Sequence, residues 1–195
     1  MKFVIATHNN HKVTEFKRIL EPLGIEVVSQ DEAGIKVEVE ETGTTFAENA
    51  KLKAESVSKI GDCVAIADDS GICIDAFDGG PGIYSSRFLG EDTPYTEKNA
   101  IILDRLKEVP DEKRTARYVC AICCIFPNGD IIETEGRCEG KMGYEAKGGN
   151  GFGYDPIFMV DDRSLAQISD AEKDEISHRG VALKKFVEQL KTYLK

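Results

Sequence analysis

The chain has 195 residues, of which 41% are hydrophobic and 31% charged, and its formal net charge is −10. This length and composition predict one globular domain over residues 1–195. The negative charge argues against nucleic acid or an anionic membrane as a partner, and without an apolar run of about 20 residues or a signal peptide we expect a cytoplasmic protein.

The first predicted strand, Lys2–Ala6, leads into a polar loop and then a helix with apolar residues at helical spacing. The unpaired N–H groups at a helix N-terminus attract anions, and Lys12 adds a positive charge there. A purely structural interpretation is that Asn9 or Asn10 caps the helix, and capping is compatible with anion binding. A second strand is predicted at Glu26–Val28.

An acidic stretch precedes the second predicted helix. Apolar and charged residues alternate in Val37–Glu41, and Thr45–Glu48 forms a capping-box pattern that opens the helix. Glu40 or Glu41 is therefore a candidate metal ligand, and the sequence does not choose between them. Lys53, on the same helix, is expected to be solvated like most lysines.

Two adjacent carboxylates, Asp68 and Asp69, follow the apolar run Cys63–Ala67 and precede Ser70-Gly71 and the apolar Ile72–Ile74. This pattern predicts a strand, an acidic corner and a second strand. Adjacent carboxylates raise each other's pKa unless a cation is bound, and Mg²⁺ with a phosphate chain would supply that charge. The alternative is a solvated Asp-Asp turn.

The middle of the chain predicts a helix and a hairpin. Pro94 marks the helix start, and Pro110 lies beyond its end. The segments Ala116–Phe126 and Ile131–Cys138 form the predicted hairpin, and Asn128-Gly129 is a strong turn signal between them.

Two patterns resemble metal or redox sites but are weak. His8 and His11 have no clear third ligand nearby for a transition metal. The spacing of Cys120 and Cys123 matches C-x-x-C, but residues three apart on a strand point to opposite faces. We therefore expect the six cysteines to be reduced core residues.

The glycine-rich segment Gly148–Gly153 is not a dinucleotide fingerprint, because an extended apolar segment follows it rather than a helix. Further on, Ser169 caps a short helix that carries Lys173. His178 and Arg179 open the last helix, where the helix dipole disfavours a cation, so a functional role is favoured.

Six motifs occur along the chain: Thr7–Lys12, Glu41–Ala50, Ala67–Gly71, Gly79–Ser85, Phe152–Pro156 and Ser177–Gly180. Together they closely resemble the inosine triphosphate pyrophosphatase family. The match runs from residue 3 to about residue 190, in the family's order. The resemblance implies an α/β fold, in which an elongated mixed β-sheet with flanking helices forms two lobes around a central cleft, and a homodimer. It also implies Mg²⁺-assisted hydrolysis of inosine, deoxyinosine and xanthosine triphosphates to monophosphate and pyrophosphate.

The resemblance assigns three groups of site residues. Asp69 would be the catalytic base, and it would share Mg²⁺ with Glu40 or Glu41. The residues implied to bind the triphosphate are Thr7, His8, Asn9, Asn10, His11, Lys12, Ser70 and Lys173. Those implied to form the purine pocket are Phe152, Gly153, Tyr154, Asp155, His178 and Arg179. Many family members have glycine in place of His8.

Three other functions compete with this hypothesis. A related pyrophosphatase for modified pyrimidine triphosphates has different motifs at residues 152–155 and 177–179. A non-catalytic nucleotide sensor is disfavoured by the complete acidic set. A nucleic-acid-binding module is disfavoured by the net charge of −10 and the lack of a basic stripe.

Overall fold

A computed structural model describes residues 1–195 as a mixed α/β protein with eight strands and five α-helices. The strands are β1 (Lys2–Ile5), β2 (Glu26–Ser29), β3 (Ala65–Ile74), β4 (Gly80–Pro81), β5 (Thr115–Ile125), β6 (Ile131–Met142), β7 (Phe158–Val160) and β8 (Arg163–Ser164). The helices are α1 (Asn10–Leu20), α2 (Phe46–Gly61), α3 (Tyr95–Arg105), α4 (Asp170–Ile176) and α5 (His178–Tyr193). The predicted α/β class is confirmed.

All eight strands belong to one mixed sheet. Its order is β2-β1-β3-β5-β6-β7-β8, and β4 pairs with β3 outside this path. β1 runs parallel to both β2 and β3, with Val4 opposite Ala65. The later neighbours β6, β7 and β8 pair antiparallel. Parallel neighbours need a crossover connection, and α1 and α2 lie in the connections from β1 to β2 and from β2 to β3.

The chain packs as two compact units. Unit 1 consists of Met1–Asp69, Cys120–Gly136 and His178–Lys195. Unit 2 consists of Ser70–Val119 and Arg137–Ser177. A single domain over residues 1–195 stays a prediction, as does the central cleft.

Unit 1 has two apolar clusters. One includes Phe3, Phe16 and Phe186, where α1 and α5 bury their apolar stripes with β1. The other includes Ala54 of α2 and Ala65 and Ala67 of β3. Residues 65 and 67 share one face because side chains alternate along a strand. β3 is therefore buried from both sides, which explains why its sequence is apolar on either side of Asp68-Asp69-Ser70.

Unit 2 is built around a third cluster, in which Tyr118 and Phe158 meet edge to face at 4.8 Å between ring centroids. Arg114 is buried beside it and donates to the backbone carbonyls of Leu106, Met142 and Gly143. The guanidinium thus satisfies carbonyl groups at the end of α3 and after β6, where secondary structure provides no partner.

Most predicted elements are confirmed within a few residues, including the hairpin of β5 and β6, the capped starts of α2 and α4 and the last helix. The predicted break at Asp68-Asp69 is wrong, since β3 continues through Ala65–Ile74 without a corner. The carboxylates have buried cationic partners, so the chain does not need a solvated turn there. The six cysteines are free, as predicted, although Cys63 and Cys73 are only partly buried. No helix is long and apolar enough to cross a membrane.

Gly136 of β6 packs directly against the start of α5. A Cβ atom at this position would overlap the His178 carbonyl oxygen and the Ala182 backbone nitrogen. We expect Gly136→Ala to lower the free energy of unfolding by about 3 kcal/mol, because backbone atoms cannot rotate out of the way. Urea denaturation would measure this change.

Gly149→Ala is the matched control, because nothing lies within 4 Å of a Cβ atom there and its backbone is not in the left-handed region. Equal stabilities of the two variants would contradict the close packing of β6 against α5.

Candidate active site

The side chains of Asp68 and Asp69 leave β3 on opposite faces, because successive residues on a strand alternate. Ile66, two residues before Asp68, packs in the cluster with Phe3, whereas Ala67, two residues before Asp69, packs in the cluster with Ala54. Both carboxylates are buried. Each therefore needs its own compensating partners.

Asp68 lies between two cations. Its Oδ2 atom accepts from Lys12 Nζ at 3.0 Å and from Arg179 Nε and NH2 at 3.2 and 2.9 Å. Arg179 also donates to Glu15 Oε2 at 2.5 Å, and the Cys120 thiol is 3.8 Å from Asp68 Oδ2. Burial alone would raise the pKa of Asp68, but Lys12, Arg179 and Lys53 outweigh it and hold the pKa far below its usual value. Asp68 is therefore ionised at neutral pH.

Asp69 has a different environment. Asn49 Nδ2 donates to its Oδ2 atom at 3.1 Å, and Lys53 Nζ lies 3.5 Å from Oδ1. Lys53 also binds Glu41 Oε1 at 2.7 Å. Burial raises the pKa of Asp69, and Glu41 raises it further, against the opposing effect of Lys53. The predicted mutual repulsion of Asp68 and Asp69 is therefore not what sets their pKa values, which depend on burial and on nearby charges, with Lys12 and Lys53 acting on both carboxylates.

Lys53 is an important residue that the sequence analysis missed. It was expected to be solvated, yet its side chain is only 15% exposed and its ammonium group lies between two carboxylates. Burial lowers its pKa, but Asp69, Asp68 and Glu41 raise it more, so Lys53 stays protonated. Asn49 and Glu15 were also missed. Their helical positions gave no signal, because the partners lie far away in sequence.

The loop before α1 is organised by its own polar side chains. Asn9 caps the helix by accepting from the backbone N–H groups of His11 and Lys12 at 2.9 and 3.4 Å. The Thr7 hydroxyl accepts from Asn9 N at 3.2 Å. Asn10 is the first residue of α1, and the exposed His8 ring contacts Asp31 and Gln30. The loop thus presents a capped helix N-terminus beside the buried Lys12–Asp68 pair.

The acidic residues fit a magnesium ion by donor chemistry. Glu41 and Asp69 both direct oxygen atoms at the Lys53 ammonium, so their carboxylates already converge on a positive charge. One or two carboxylates with substrate phosphates are the usual protein ligands of Mg²⁺. No group of three or more potential ligands is present. Glu40 is exposed, and no contact places it with Asp69.

A second group of candidate residues lies in unit 2. Asp155 Oδ2 accepts from Lys173 Nζ at 2.7 Å and from Phe152 N at 2.9 Å, and both charged side chains are 4% exposed. Lys173 also lies 4.9 Å from the centroid of the Phe152 ring. Gly153 adopts a left-handed φ of 68°, which favours glycine. Asp155 thus folds the segment Phe152–Asp155 back on itself.

Tyr154, within this segment, is anchored by its side chain. Its hydroxyl donates to the Ser85 carbonyl at 2.6 Å, and its ring meets Tyr95 at 5.1 Å between centroids. Burial raises the pKa of Tyr154 well above its usual value, so the hydroxyl stays protonated and can donate. Tyr154 is therefore a buried support for the segment.

The remaining predicted residues lie at element ends or within strands. Ser70 continues β3 immediately after Asp69, and His178 is the first residue of α5, buried against Gly136. The structure therefore brings Lys12, Asp69, Glu41 and Arg179 into unit 1, and Phe152–Asp155 with Lys173 into unit 2. Their contacts with a substrate stay predictions.

Comparison with known proteins decides the family. The sequence model of the Ham1 family matches residues 3–189. The chain belongs to the Ham1 family. A dITP/XTP pyrophosphatase from Exiguobacterium sibiricum is 44% identical over 196 residues, covering 100% of this chain and 99% of that protein. One from Bacillus subtilis is 48% identical over 184 residues, covering 93% of each chain.

The fold of this Ham1 family member agrees with a solved relative. The structure of the Staphylococcus aureus Ham1 protein superimposes with a TM-score of 0.88 at 37% identity, covering 99% of this chain and 100% of that one. The predicted family resemblance is confirmed.

Replacing Asp68 or Asp69 by the neutral asparagine should affect the free energy of unfolding differently. The lowered pKa of Asp68 stabilises the fold above an unfolded pKa of about 3.9, and this stabilisation is lost as pH falls through the folded pKa. The raised pKa of Asp69 means that its ionisation costs stability as pH rises through the folded pKa. At pH 7, Asp68→Asn should therefore cost about 3 kcal/mol, because Arg179 and Lys12 lose their counter-ion. Asp69→Asn should leave stability unchanged or higher.

Urea denaturation of both variants at pH 7 would measure this difference. A loss of stability in Asp69→Asn as large as that in Asp68→Asn would contradict the opposite pKa shifts.

Proposed function

We propose that this Ham1 family member hydrolyses non-standard purine nucleoside triphosphates, such as dITP and XTP, to the monophosphate and pyrophosphate. The observation that carries this proposal is Asp69, a buried carboxylate with a raised pKa, oriented by Asn49 and Lys53 beside Glu41. Perturbed carboxylates with fixed partners are typical of catalytic sites. Relatives over the whole chain carry the name dITP/XTP pyrophosphatase.

Asp69 acts as the base that orients and deprotonates the attacking water. A buried carboxylate held by fixed partners can accept a proton from a water molecule beside it. Asn49 fixes one oxygen with a hydrogen bond, and the other lies near Lys53. The hydrogen bond from Asn49 limits rotation of the carboxylate, so Asp69 keeps one orientation toward the water.

Lys12 neutralises the phosphate chain. Its ion pair with Asp68 holds the ammonium group in one position. The N-terminus of α1 adds the positive end of the helix dipole, with residues Thr7–Lys12 forming the phosphate loop. Ser70 and Lys173 are further proposed contacts of the triphosphate. These groups stabilise negative charge on the departing pyrophosphate.

We further propose that Glu41 and Asp69 hold Mg²⁺, rather than Glu40. The bound ion would neutralise charge on the triphosphate and polarise the phosphoryl group under attack. The contacts of both carboxylates with the Lys53 ammonium support a cation at this position.

The purine is the proposed ligand of Phe152, Gly153, Tyr154 and Asp155, with His178 and Arg179 as donors. Donors that face a 6-keto oxygen would oppose the amino group of adenine, and such a mismatch discriminates strongly. Arg179 must share its guanidinium with Asp68 and Glu15, so it is a rigid donor. A homodimeric state and a cytoplasmic location are additional proposals that rest on the family resemblance.

A panel of nucleoside triphosphates tests this function. With Mg²⁺, dITP and XTP should each release pyrophosphate and the monophosphate, while ATP should react far more slowly. EDTA should abolish turnover, and added Mg²⁺ should restore it, because the proposed ligands are carboxylates. Phosphate as the only inorganic product, full activity in EDTA, or equal rates with ATP would each contradict the proposal.

Asp69→Asn tests the role of the base. It keeps the size of the side chain but removes its charge, so kcat should fall by roughly 10²-fold or more. Substrate binding should persist, because Lys12 and the purine segment are unchanged. Steady-state kinetics would measure both quantities.

Asp104→Asn removes an exposed carboxylate and serves as the control. A kcat for Asp69→Asn within about threefold of the parent would reject the catalytic role, on a scale where tenfold is about 1.4 kcal/mol.

A further inference from the structure

We propose that Lys98 and Asn99, two adjacent residues of α3, are positioning residues that hold the segment Phe152–Asp155 in the geometry that selects the purine. This inference rests on the proposed function of that segment. Both side chains are buried, with 1% of Lys98 and 5% of Asn99 exposed. Neither residue belongs to the set that the family resemblance implies.

Asn99 binds the segment directly. Its Nδ2 atom donates to the Gly153 carbonyl at 3.2 Å. Gly153 has a left-handed backbone, so this bond fixes a peptide group at the point where the chain changes direction. Tyr95, one turn earlier on α3, lies against the same glycine and against the Tyr154 ring.

The other polar atom of Asn99 has no protein partner. Its Oδ1 atom is buried without a hydrogen bond, which costs free energy on folding. An apolar residue would avoid this cost, so stability alone does not favour asparagine at this position. What the amide provides is the hydrogen bond to the Gly153 carbonyl.

Lys98 supports the segment indirectly, through the backbone at Ser86, next to the Ser85 carbonyl that binds Tyr154. Its ammonium group donates to the Ser86 carbonyl at 2.8 Å and lies 5.0 Å from the centroid of the Tyr95 ring. Burial lowers the pKa of Lys98, with Glu91 opposing that shift. A buried ammonium with one carbonyl acceptor is costly, so its contribution to stability is small relative to an apolar residue.

Ser85 links the contact made by Lys98 to Tyr154 of the segment. Its hydroxyl accepts from Ile72 N at 2.9 Å, and its carbonyl accepts from the Tyr154 hydroxyl at 2.6 Å. Lys98 holds the next carbonyl along the chain, that of Ser86. Adjacent residues on a helix point about 100° apart, which is why α3 can reach Ser86 with Lys98 and Gly153 with Asn99. The helix thus fixes the segment at Gly153 directly and at Tyr154 through Ser85.

The deciding experiment compares Asn99→Ala with the full-length parent. We expect KM for dITP to rise about tenfold with kcat within twofold, and the preference for dITP over dATP to fall about tenfold. The melting temperature should change little, because the substitution removes both a hydrogen bond and an unpaired buried oxygen. The inhibition constant of pyrophosphate, which carries no base, should stay within twofold, whereas inosine monophosphate should inhibit less well.

Lys98→Met is a second variant that should also raise KM for dITP and lower the preference for dITP over dATP. Its stability should be maintained. Lys107→Met, which removes an exposed lysine that pairs with Asp104, is the matched control and should behave as the parent. If the parent is active and both variants keep its KM and selectivity, the inference is overturned but the proposed function is not. A tenfold weaker inhibition by pyrophosphate in Asn99→Ala would also overturn it, since a positioning role for the base leaves that ligand unaffected. A parent that releases no pyrophosphate from dITP or XTP overturns the proposed function and the inference with it.

Discussion

The buried ion pairs of Asp68 are the constraint on which unit 1 depends. Lys12 from α1, Asp68 from β3 and Arg179 from α5 meet at one carboxylate oxygen, and Glu15 completes the set. A buried charge is tolerated only when it is paired and hydrogen-bonded, so none of these elements can shift without stranding a charge. The same pairs fix the side chain of Lys12 and the first turn of α5. The stability of the fold and the geometry of the loop before α1 therefore have one physical cause.

The alternation of a strand gives two neighbouring aspartates different chemistry. Asp68 faces two cations and stays ionised, whereas Asp69 faces Asn49, Lys53 and Glu41 in a setting that raises its pKa. One residue is thereby suited to structure and the next to proton transfer. A bend at this position would have brought both carboxylates toward the same solvent, and this difference would have been lost.

Unit 2 combines its ion pairs with polar contacts from buried side chains to the backbone. Arg114, Lys98 and Asn99 each donate to backbone carbonyls, and the Lys173–Asp155 pair folds the segment around Gly153. Backbone groups are fixed more precisely than long side chains, because they have no rotamers to lose. Loops that carry specificity are well served by such supports, since loops have few ladder hydrogen bonds of their own.

Local sequence patterns were sufficient to predict the class of fold, the capped helices and the family. Capping boxes, the Asn-Gly turn and the periodicity of apolar residues depend on neighbours within a few positions, so they can be recognised without coordinates. Only the three-dimensional structure shows that β3 runs straight through Asp68-Asp69, that Lys53 lies between two carboxylates, and that Arg179 holds Asp68 and Glu15. These features depend on partners between 12 and 164 residues away. Local patterns carry no information on such pairs, and burial beside an opposite charge reverses the ordinary expectation that charged residues are solvated.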